Sequence, residues 1–319
     1  MTRQIVVSVD GLPDEGKQRI RQIAQAAGAE VQFVPEAEGW SGHLDGVEAA
    51  FGLPPAAMVA SSSLRFLQLH SSGYDPYKIP ALLSHPELRI ANARGVTAQA
   101  VAEQCLAMMF ALTRRIPFQL RNQAKHVWQR ASSYELLFGT TITIVGMGAI
   151  GSALAKMCHG IGMKVFSVQR SEQQLSFVDR IFRMDEVIDA LRESRHLAIA
   201  LPTIPSVKPL IGAEELAAMP DGSYIFSMSR APHLDYDALI PALDSGKLAG
   251  VGLDVFPVEP LPADSPLWDR EDVLIAPHSG GRFVGEMDAL SALFAGNLER
   301  YFAGEPLQNI VISKDTVVD

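Results

Sequence analysis

The chain of 319 residues, 48% of them hydrophobic, is long enough to bury two ordinary cores, so two domains are expected. Its net charge of -9 and the lack of a cluster of Lys and Arg exclude a nucleic-acid footprint. No apolar run has membrane-spanning length, and the first residues lack a signal peptide's core. The two cysteines, Cys105 and Cys158, form no disulfide framework and are predicted to be buried thiols. We therefore expect a cytoplasmic protein with small-molecule partners.

Strand-like and helix-like patterns alternate along the first ninety residues, which is typical of an α/β domain. The predicted elements are a strand at 5–9, an amphipathic helix at 14–27 that Gly28 ends, and strands at 30–34, 47–51, 66–69 and around residues 90 and 91. A long apolar helix at 98–113 follows. This pattern predicts a small doubly wound domain that ends near residue 93.

The next feature is a glycine-rich turn, Gly146-Met147-Gly148-Ala149-Ile150-Gly151. It follows a predicted strand at 141–145 and opens a helix, and a second strand at 164–168 completes a βαβ unit, as in dinucleotide-binding domains. Gly146 allows the tight turn, Gly148 lets the backbone approach a pyrophosphate, and Gly151 permits close packing of helix on strand. The helix N-terminus, at Ala149 and Ile150, then faces the phosphates with free N–H groups.

The end of the second strand indicates which dinucleotide binds. An NAD site usually has Asp or Glu there, to accept hydrogen bonds from the ribose 2'-hydroxyl. This chain has Gln169, Arg170 and Ser171 instead. A carboxylate would repel a 2'-phosphate, whereas a guanidinium and a hydroxyl suit one. NADP(H) is therefore the favoured cofactor, with NAD(H) as the alternative.

Four further strands are predicted, at 197–201, 224–227, 250–253 and 273–276. Ligands of open parallel sheets bind outside the carboxyl ends of the strands, so the residues that follow these strands should surround the nicotinamide. They are Pro202 and Thr203, Arg230, Asp254 with Glu259, and Pro277 with His278. The chain order alone thus predicts an arginine, two acids and a histidine at one edge of the sheet.

These side chains suit the reduction of a 2-oxo acid, which needs a hydride donor, a cation and a proton source. Arg230 can hold the carboxylate and the keto oxygen as a planar fork. His278 can supply the proton, and a neighbouring carboxylate, for which Glu259 is the candidate, favours its charged form. Asp254 either tunes this pair or braces the loop from behind. The other histidines lack the spacing of a metal site, so no metal is predicted.

Over most of its length the chain resembles the D-isomer-specific 2-hydroxyacid dehydrogenases. The similar motifs, besides the glycine turn, are Ser72-Gly73-Tyr74-Asp75, Ala100-Val101-Ala102-Glu103, Ser229-Arg230, Gly252-Leu253-Asp254-Val255-Phe256 with Glu259-Pro260, and Pro277-His278. The resemblance implies that Arg230, Glu259 and His278 are the catalytic residues. It also implies that the backbone N–H groups at Ser72 and Gly73 hold the substrate carboxylate.

The resemblance further implies the architecture and the partner. A Rossmann cofactor domain would span residues 94–284, and a smaller flavodoxin-like substrate domain would combine 1–93 with 285–319. Members are usually homodimers joined through the cofactor domains. Trp128 matches a tryptophan that in some members reaches the partner's site, and a core or interface aromatic is the alternative. Ser227, Ala231 and Gln104 depart from the usual Asn, Gly and His, but none of these changes removes a catalytic group.

Three functions are compatible with these motifs. The predicted one is the NADPH-dependent reduction of a small 2-oxo acid, such as glyoxylate or hydroxypyruvate, to the D-2-hydroxy acid. An NAD-linked member with another substrate is disfavoured by Gln169-Arg170-Ser171. A non-catalytic dinucleotide sensor similar to the corepressors of this fold is disfavoured by the intact Arg230, Glu259 and His278. Loops near Leu53 and at 71–74 are expected to select the substrate.

Overall fold

The computed structural model describes residues 3–202, 209–314, 316 and 317. The chain divides into two compact units, Met1–Thr97 with Phe283–Asp319, and Ala98–Arg282. Both units are α/β folds built around parallel strands, which confirms the predicted fold class. Thr203, predicted to follow a strand at the sheet edge, lies outside the described residues.

Strands and helices alternate along most of the chain. The strands are β1 (Arg3–Val7), β2 (Ala29–Phe33), β3 (Val47–Phe51), β4 (Phe66–Gln68), β5 (Arg89–Ala91), β6 (Thr141–Val145), β7 (Lys164–Val168), β8 (Arg180–Phe182), β9 (His196–Ile199), β10 (Ser223–Ser227), β11 (Leu248–Leu253), β12 (Val273–Ile275), β13 (Ile310–Ser313) and β14 (Thr316–Val317). The α-helices are α1 (Asp14–Ala26), α2 (Ala56–Ala60), α3 (Pro80–Leu83), α4 (Ala98–Thr113), α5 (Ile116–Ala124), α6 (Ala149–Gly160), α7 (Val187–Arg192), α8 (Ala213–Ala218), α9 (Tyr236–Asp244) and α10 (Glu286–Ala303). Among these described elements, none is a helix both long and apolar enough for a bilayer span.

The sheet of the first unit has the strand order β2-β1-β3-β4-β5-β13-β14 among the described residues. The first five strands are parallel and follow the flavodoxin-like order 2-1-3-4-5. The chain returns through α10, whose Phe294 stacks on Phe51 with ring centroids 4.6 Å apart. β13 then adds to β5 in the antiparallel direction.

The sheet of the second unit has the described order β8-β7-β6-β9-β10-β11-β12, and every pairing is parallel. This is a doubly wound sheet whose order reverses between β6 and β9, the point where ligands bind in such folds. β8 was not predicted from the sequence, because an edge strand of three residues has too few positions to show a period. His196 is the first residue of β9.

The two cysteines lie in one hydrophobic cluster of the second unit, although they are far apart in sequence. Cys105 belongs to α4 and Cys158 to α6, and both thiols are free and buried. Burial raises the pKa of both thiols, that of Cys158 to about 12. The prediction of buried thiols is confirmed, and both are held in the unreactive protonated form.

Candidate active site

The glycine turn after β6 contains two glycines that the fold requires and one that it does not. Gly146 has a φ of 97°, and a Cβ atom there would lie 2.7 Å from the carbonyl oxygen of Ala200. At Gly151 a Cβ atom would lie 1.9 Å from the carbonyl oxygen of Gly146. At Gly148, by contrast, nothing lies within 4 Å of the added atom. The packing of the chain thus explains Gly146 and Gly151, and the space over Gly148 is open to a ligand.

α6 begins beside this open space. Gly148 is its N-cap, and no side chain caps the helix. The first N–H groups of a helix have no partner within it and carry partial positive charge, so they attract an anion. The uncapped N-terminus of α6, next to the open space over Gly148, could hold the pyrophosphate of a dinucleotide. The N–H groups of Ala149 and Ile150 would be the donors.

The residues after β7 divide into an inward and an outward set. Gln169 is buried, and its Nε2 donates hydrogen bonds to the carbonyl oxygens of Ser171 (2.5 Å) and Gln173 (3.3 Å). Arg170, Ser171 and Glu172 are exposed. The Gln169 amide therefore orders the loop. Arg170 and Ser171 are exposed on it, and the Ser171 hydroxyl accepts the N–H of Gln173 at 3.2 Å.

Glu259 and His278 form a close pair. Oε2 of Glu259 lies 2.7 Å from Nδ1 of His278, and Oε1 accepts the N–H of Phe256 at 2.9 Å. Partial burial by itself would raise the pKa of the Glu259 carboxyl. The bonds from His278 and Phe256 and the positive charge of Arg230 outweigh this effect, so the pKa is lowered. Glu259 is therefore a carboxylate near neutral pH, held against one nitrogen of the imidazole.

The backbone of His278 has a φ of 50°, which is uncommon for a residue with a side chain. Asp254 supports this conformation from behind, since its buried Oδ1 accepts the N–H of Ser279 at 2.8 Å and that of Gly280 at 3.2 Å. Burial raises the pKa of the Asp254 carboxyl, and these donors offset the rise only in part. The contacts match the bracing alternative for Asp254, and a role in cofactor binding stays a prediction.

Arg230 is positioned by a turn after β10. Its Nη1 donates to the carbonyl oxygen of Ser229 at 2.8 Å, and its own carbonyl oxygen accepts the N–H of His233 at 3.1 Å. Oγ of Ser229 lies 3.0 Å from Nδ1 of His233, and both side chains are buried. In the sequence, His233 is one of the histidines that lack the spacing of a metal site. No spacing signal could reveal that it closes the turn that carries Arg230.

The remaining predicted residues lie at strand ends. Pro202 is exposed and follows β9 in the same unit as the glycine turn. Ser72 and Gly73 follow β4 in the first unit, on the loop that a substrate carboxylate is expected to contact. Trp128 is fully exposed on the single chain, so the alternative of a core aromatic is wrong. Within the described residues, no group of three or more His, Cys, Asp or Glu could hold a metal ion.

Comparison with known proteins identifies this arrangement. Residues 106–280, more than half of the chain, match the family model described as "D-isomer specific 2-hydroxyacid dehydrogenase, NAD binding domain". The chain belongs to this family. Family membership makes it an NAD(P)-dependent oxidoreductase and confirms the resemblance seen in the sequence motifs.

Named relatives of this dehydrogenase are similar over most of its length. Glyoxylate/hydroxypyruvate reductase B of Escherichia coli is 30% identical over 325 residues, which cover 96% of this chain and 97% of that protein. The protein of the same name from Pectobacterium carotovorum is 34% identical over 257 residues, 78% of this chain and 79% of that protein. A crystal structure of a D-isomer specific 2-hydroxyacid dehydrogenase from Xanthobacter autotrophicus Py2, in complex with NADPH and MES, is 27% identical. It covers 98% of both chains with a TM-score of 0.78.

Proposed function

We propose that this dehydrogenase reduces a small 2-oxo acid of the glyoxylate or hydroxypyruvate type to the D-2-hydroxy acid with NADPH. The observation that carries the proposal is the 2.7 Å contact between Glu259 and His278. It lies at the carboxyl ends of the strands, the same sheet edge as Arg230 and the glycine turn. The names of the two reductases at 30% and 34% identity support the substrate class, and the NADPH complex at 27% identity supports the cofactor.

In the proposed reaction each catalytic side chain has one task. Arg230 holds the carboxylate and polarises the keto oxygen through paired N–H donors. Bound NADPH supplies the hydride that reaches the carbonyl carbon. Because Nδ1 of His278 is held by Glu259, Nε2 is the nitrogen that donates the proton to the carbonyl oxygen. The Glu259 carboxylate orients the ring and balances its charge before the transfer.

The cofactor is held by the second unit in this proposal. The N–H groups at Gly148, Ala149 and Ile150 bind the pyrophosphate, and Pro202 and Asp254 lie towards the nicotinamide. Arg170 and Ser171 bind the 2'-phosphate, on the loop that Gln169 orders. NADPH is kept reduced in the cytoplasm, so reduction is the expected direction there.

The test is the initial rate of NADPH and NADH oxidation with glyoxylate, hydroxypyruvate, pyruvate and phenylpyruvate. His278→Gln removes the proton donor and should lower kcat by roughly 100-fold or more, the size of a general acid's contribution. His159→Gln, at an exposed histidine near the end of α6, is the matched control and should keep the wild-type rate. Cofactor binding without turnover of any of these acids would refute the proposal and favour the sensor alternative.

We also propose that the chain forms a homodimer through the second unit. Large apolar side chains are exposed on α4, on α5 and in the segment that follows: Phe110, Leu120, Trp128, Leu136 and Phe138. Exposed apolar surface of this kind marks protein interfaces. Light scattering should give twice the chain mass of 34.5 kDa at micromolar concentration, and a monomer mass would contradict the proposal.

A further inference from the structure

The loop after β4 presents two neighbouring backbone N–H groups, those of Ser72 and Gly73. In the part of the chain that the structure describes, neither N–H donates to an acceptor. The carbonyl oxygens of the two peptides that contain these N–H groups, Ser71–Ser72 and Ser72–Gly73, both accept hydrogen bonds. The oxygen of Ser71 accepts the N–H of Ala93 at 2.9 Å, and the oxygen of Ser72 accepts Nδ2 of Asn92 at 2.6 Å. Because C=O and N–H of a trans peptide point in opposite directions, both N–H groups are aimed away from the segment after β5.

The side chain of Asn92 is held at both ends. It is 3% exposed, and its Oδ1 accepts the N–H of Arg94 at 3.1 Å while its Nδ2 donates to Ser72. An N–H can only donate and a carbonyl oxygen can only accept, so the bonding partners determine which way the amide points. Asn92 is thus a rigid link between the turn after β5 and the peptide that carries the Gly73 N–H.

We infer that Asn92 is a positioning residue that aims the Gly73 N–H at the carboxylate of the substrate. The inference rests on the proposed function and on the placement, implied by the family resemblance, of the substrate carboxylate at the N–H groups of Ser72 and Gly73, besides its contact with Arg230. Successive N–H groups form a concave anion site, and donors fixed before binding lose little reorganisation energy when the anion arrives. The short bond to the Ser72 carbonyl also polarises the peptide and strengthens its N–H as a donor.

Two substitutions separate this role from simple bracing of the turn. Asn92→Asp keeps an oxygen that accepts the Arg94 N–H but cannot donate to Ser72, and it sets a carboxylate oxygen against the carbonyl. Asn92→Ala loses both bonds. If Asn92 only braces the turn, Asn92→Asp behaves as wild type and only Asn92→Ala is impaired. If Asn92 aims the Gly73 N–H, both variants are impaired.

The decisive readout is the preference for glyoxylate over its methyl ester, which lacks the carboxylate charge. Loss of one hydrogen bond to a charged group should raise the KM for glyoxylate roughly 10- to 100-fold in both variants. The KM for the ester, the kcat and the Kd of NADPH should change little. Asn309→Gly is the matched control. It removes another side-chain bond to this turn, from Nδ2 to the Arg94 carbonyl oxygen at 2.8 Å, at a position whose φ of 58° glycine tolerates.

The outcomes distinguish the inference from the function on which it rests. Absence of turnover by the wild-type chain refutes the proposed function, and the inference with it. Wild-type turnover together with an unchanged preference for the acid in Asn92→Asp overturns the inference alone. Equal rises in KM for glyoxylate and its methyl ester also overturn it, because they indicate a general distortion of the substrate loop. If Asn92→Asp does not fold, Asn92→Ala decides the question by the ratio of KM for glyoxylate to KM for the ester: bracing alone leaves this ratio unchanged, and loss of an aimed N–H raises it.

Discussion

Gly148 offers a sharp test of where the dinucleotide lies, because the chain itself leaves this position open. Gly148→Ala adds a methyl group that meets nothing within 4 Å, at an ordinary φ of −76°. Alanine is a poorer N-cap than glycine by about 0.5 kcal/mol or more, but it also restricts the unfolded chain by about 0.4–1 kcal/mol. These effects nearly cancel. We expect the free energy of unfolding, and with it the Tm, to stay near the wild-type value.

Binding of the cofactor should respond very differently. A methyl group over the turn pushes the pyrophosphate off the N–H donors of α6, and a lost hydrogen bond to a charged group costs about 1.5–3 kcal/mol. The Kd of NADPH, measured by titration calorimetry, should therefore rise roughly 10- to 150-fold. Adenosine 2'-monophosphate has no pyrophosphate and should bind with unchanged affinity.

Gly151→Ala is the matched contrast on the same turn. Its Cβ atom would lie 1.9 Å from the Gly146 carbonyl oxygen, so the helix must move away from the strand. Overpacking of this kind costs about 1–3 kcal/mol or more, which lowers the Tm by several degrees. If Gly148→Ala binds NADPH as tightly as wild type, or weakens the binding of both ligands equally, the open space over Gly148 does not hold the pyrophosphate.

Three further predictions follow from single sites. Arg170→Asp should lower the NADPH-to-NADH ratio of kcat/KM by roughly 10-fold or more, since a carboxylate repels the 2'-phosphate, and an unchanged ratio would contradict the cofactor proposal. Burial lowers the pKa of His196 to about 3 in the folded chain, against an ordinary value of 6.5. The unfolded chain therefore binds a proton that the folded chain cannot, so stability is full above pH 6.5 and falls towards pH 3, by up to about 5 kcal/mol. In His196→Phe the free energy of unfolding should fall less between pH 6.5 and pH 3 than in the wild type. The same fall in both proteins would contradict a lowered pKa of His196 as its cause. Gly280→Ala would set a Cβ atom 2.8 Å from Oδ2 of Asp254. It should lower kcat with little change in the Kd of NADPH. Equal effects on kcat and Kd would contradict the role of Asp254 in holding the backbone at His278.

The α/β alternation, the glycine turn and the strand ends at Arg230, Glu259 and His278 could all be predicted from the amino-acid sequence. These features are local, because the side-chain period of an element and the residue after a strand can be read without knowing the fold. The parallel sheet then brings the strand ends to one edge, so chain order alone predicted which side chains could meet.

The contacts that hold those side chains in place, by contrast, depend on the tertiary fold. Asp254 braces the turn at Ser279, 25 residues away, and Asn92 bonds the peptide of Ser72, 20 residues away. Neither the residue type nor the spacing predicts such a contact, since each bond depends on the direction in which a buried side chain leaves its own segment. The same holds for His233 behind Arg230. The residue types of the site can be read from the sequence, whereas the orientation of each side chain and backbone N–H group depends on how distant segments pack against it.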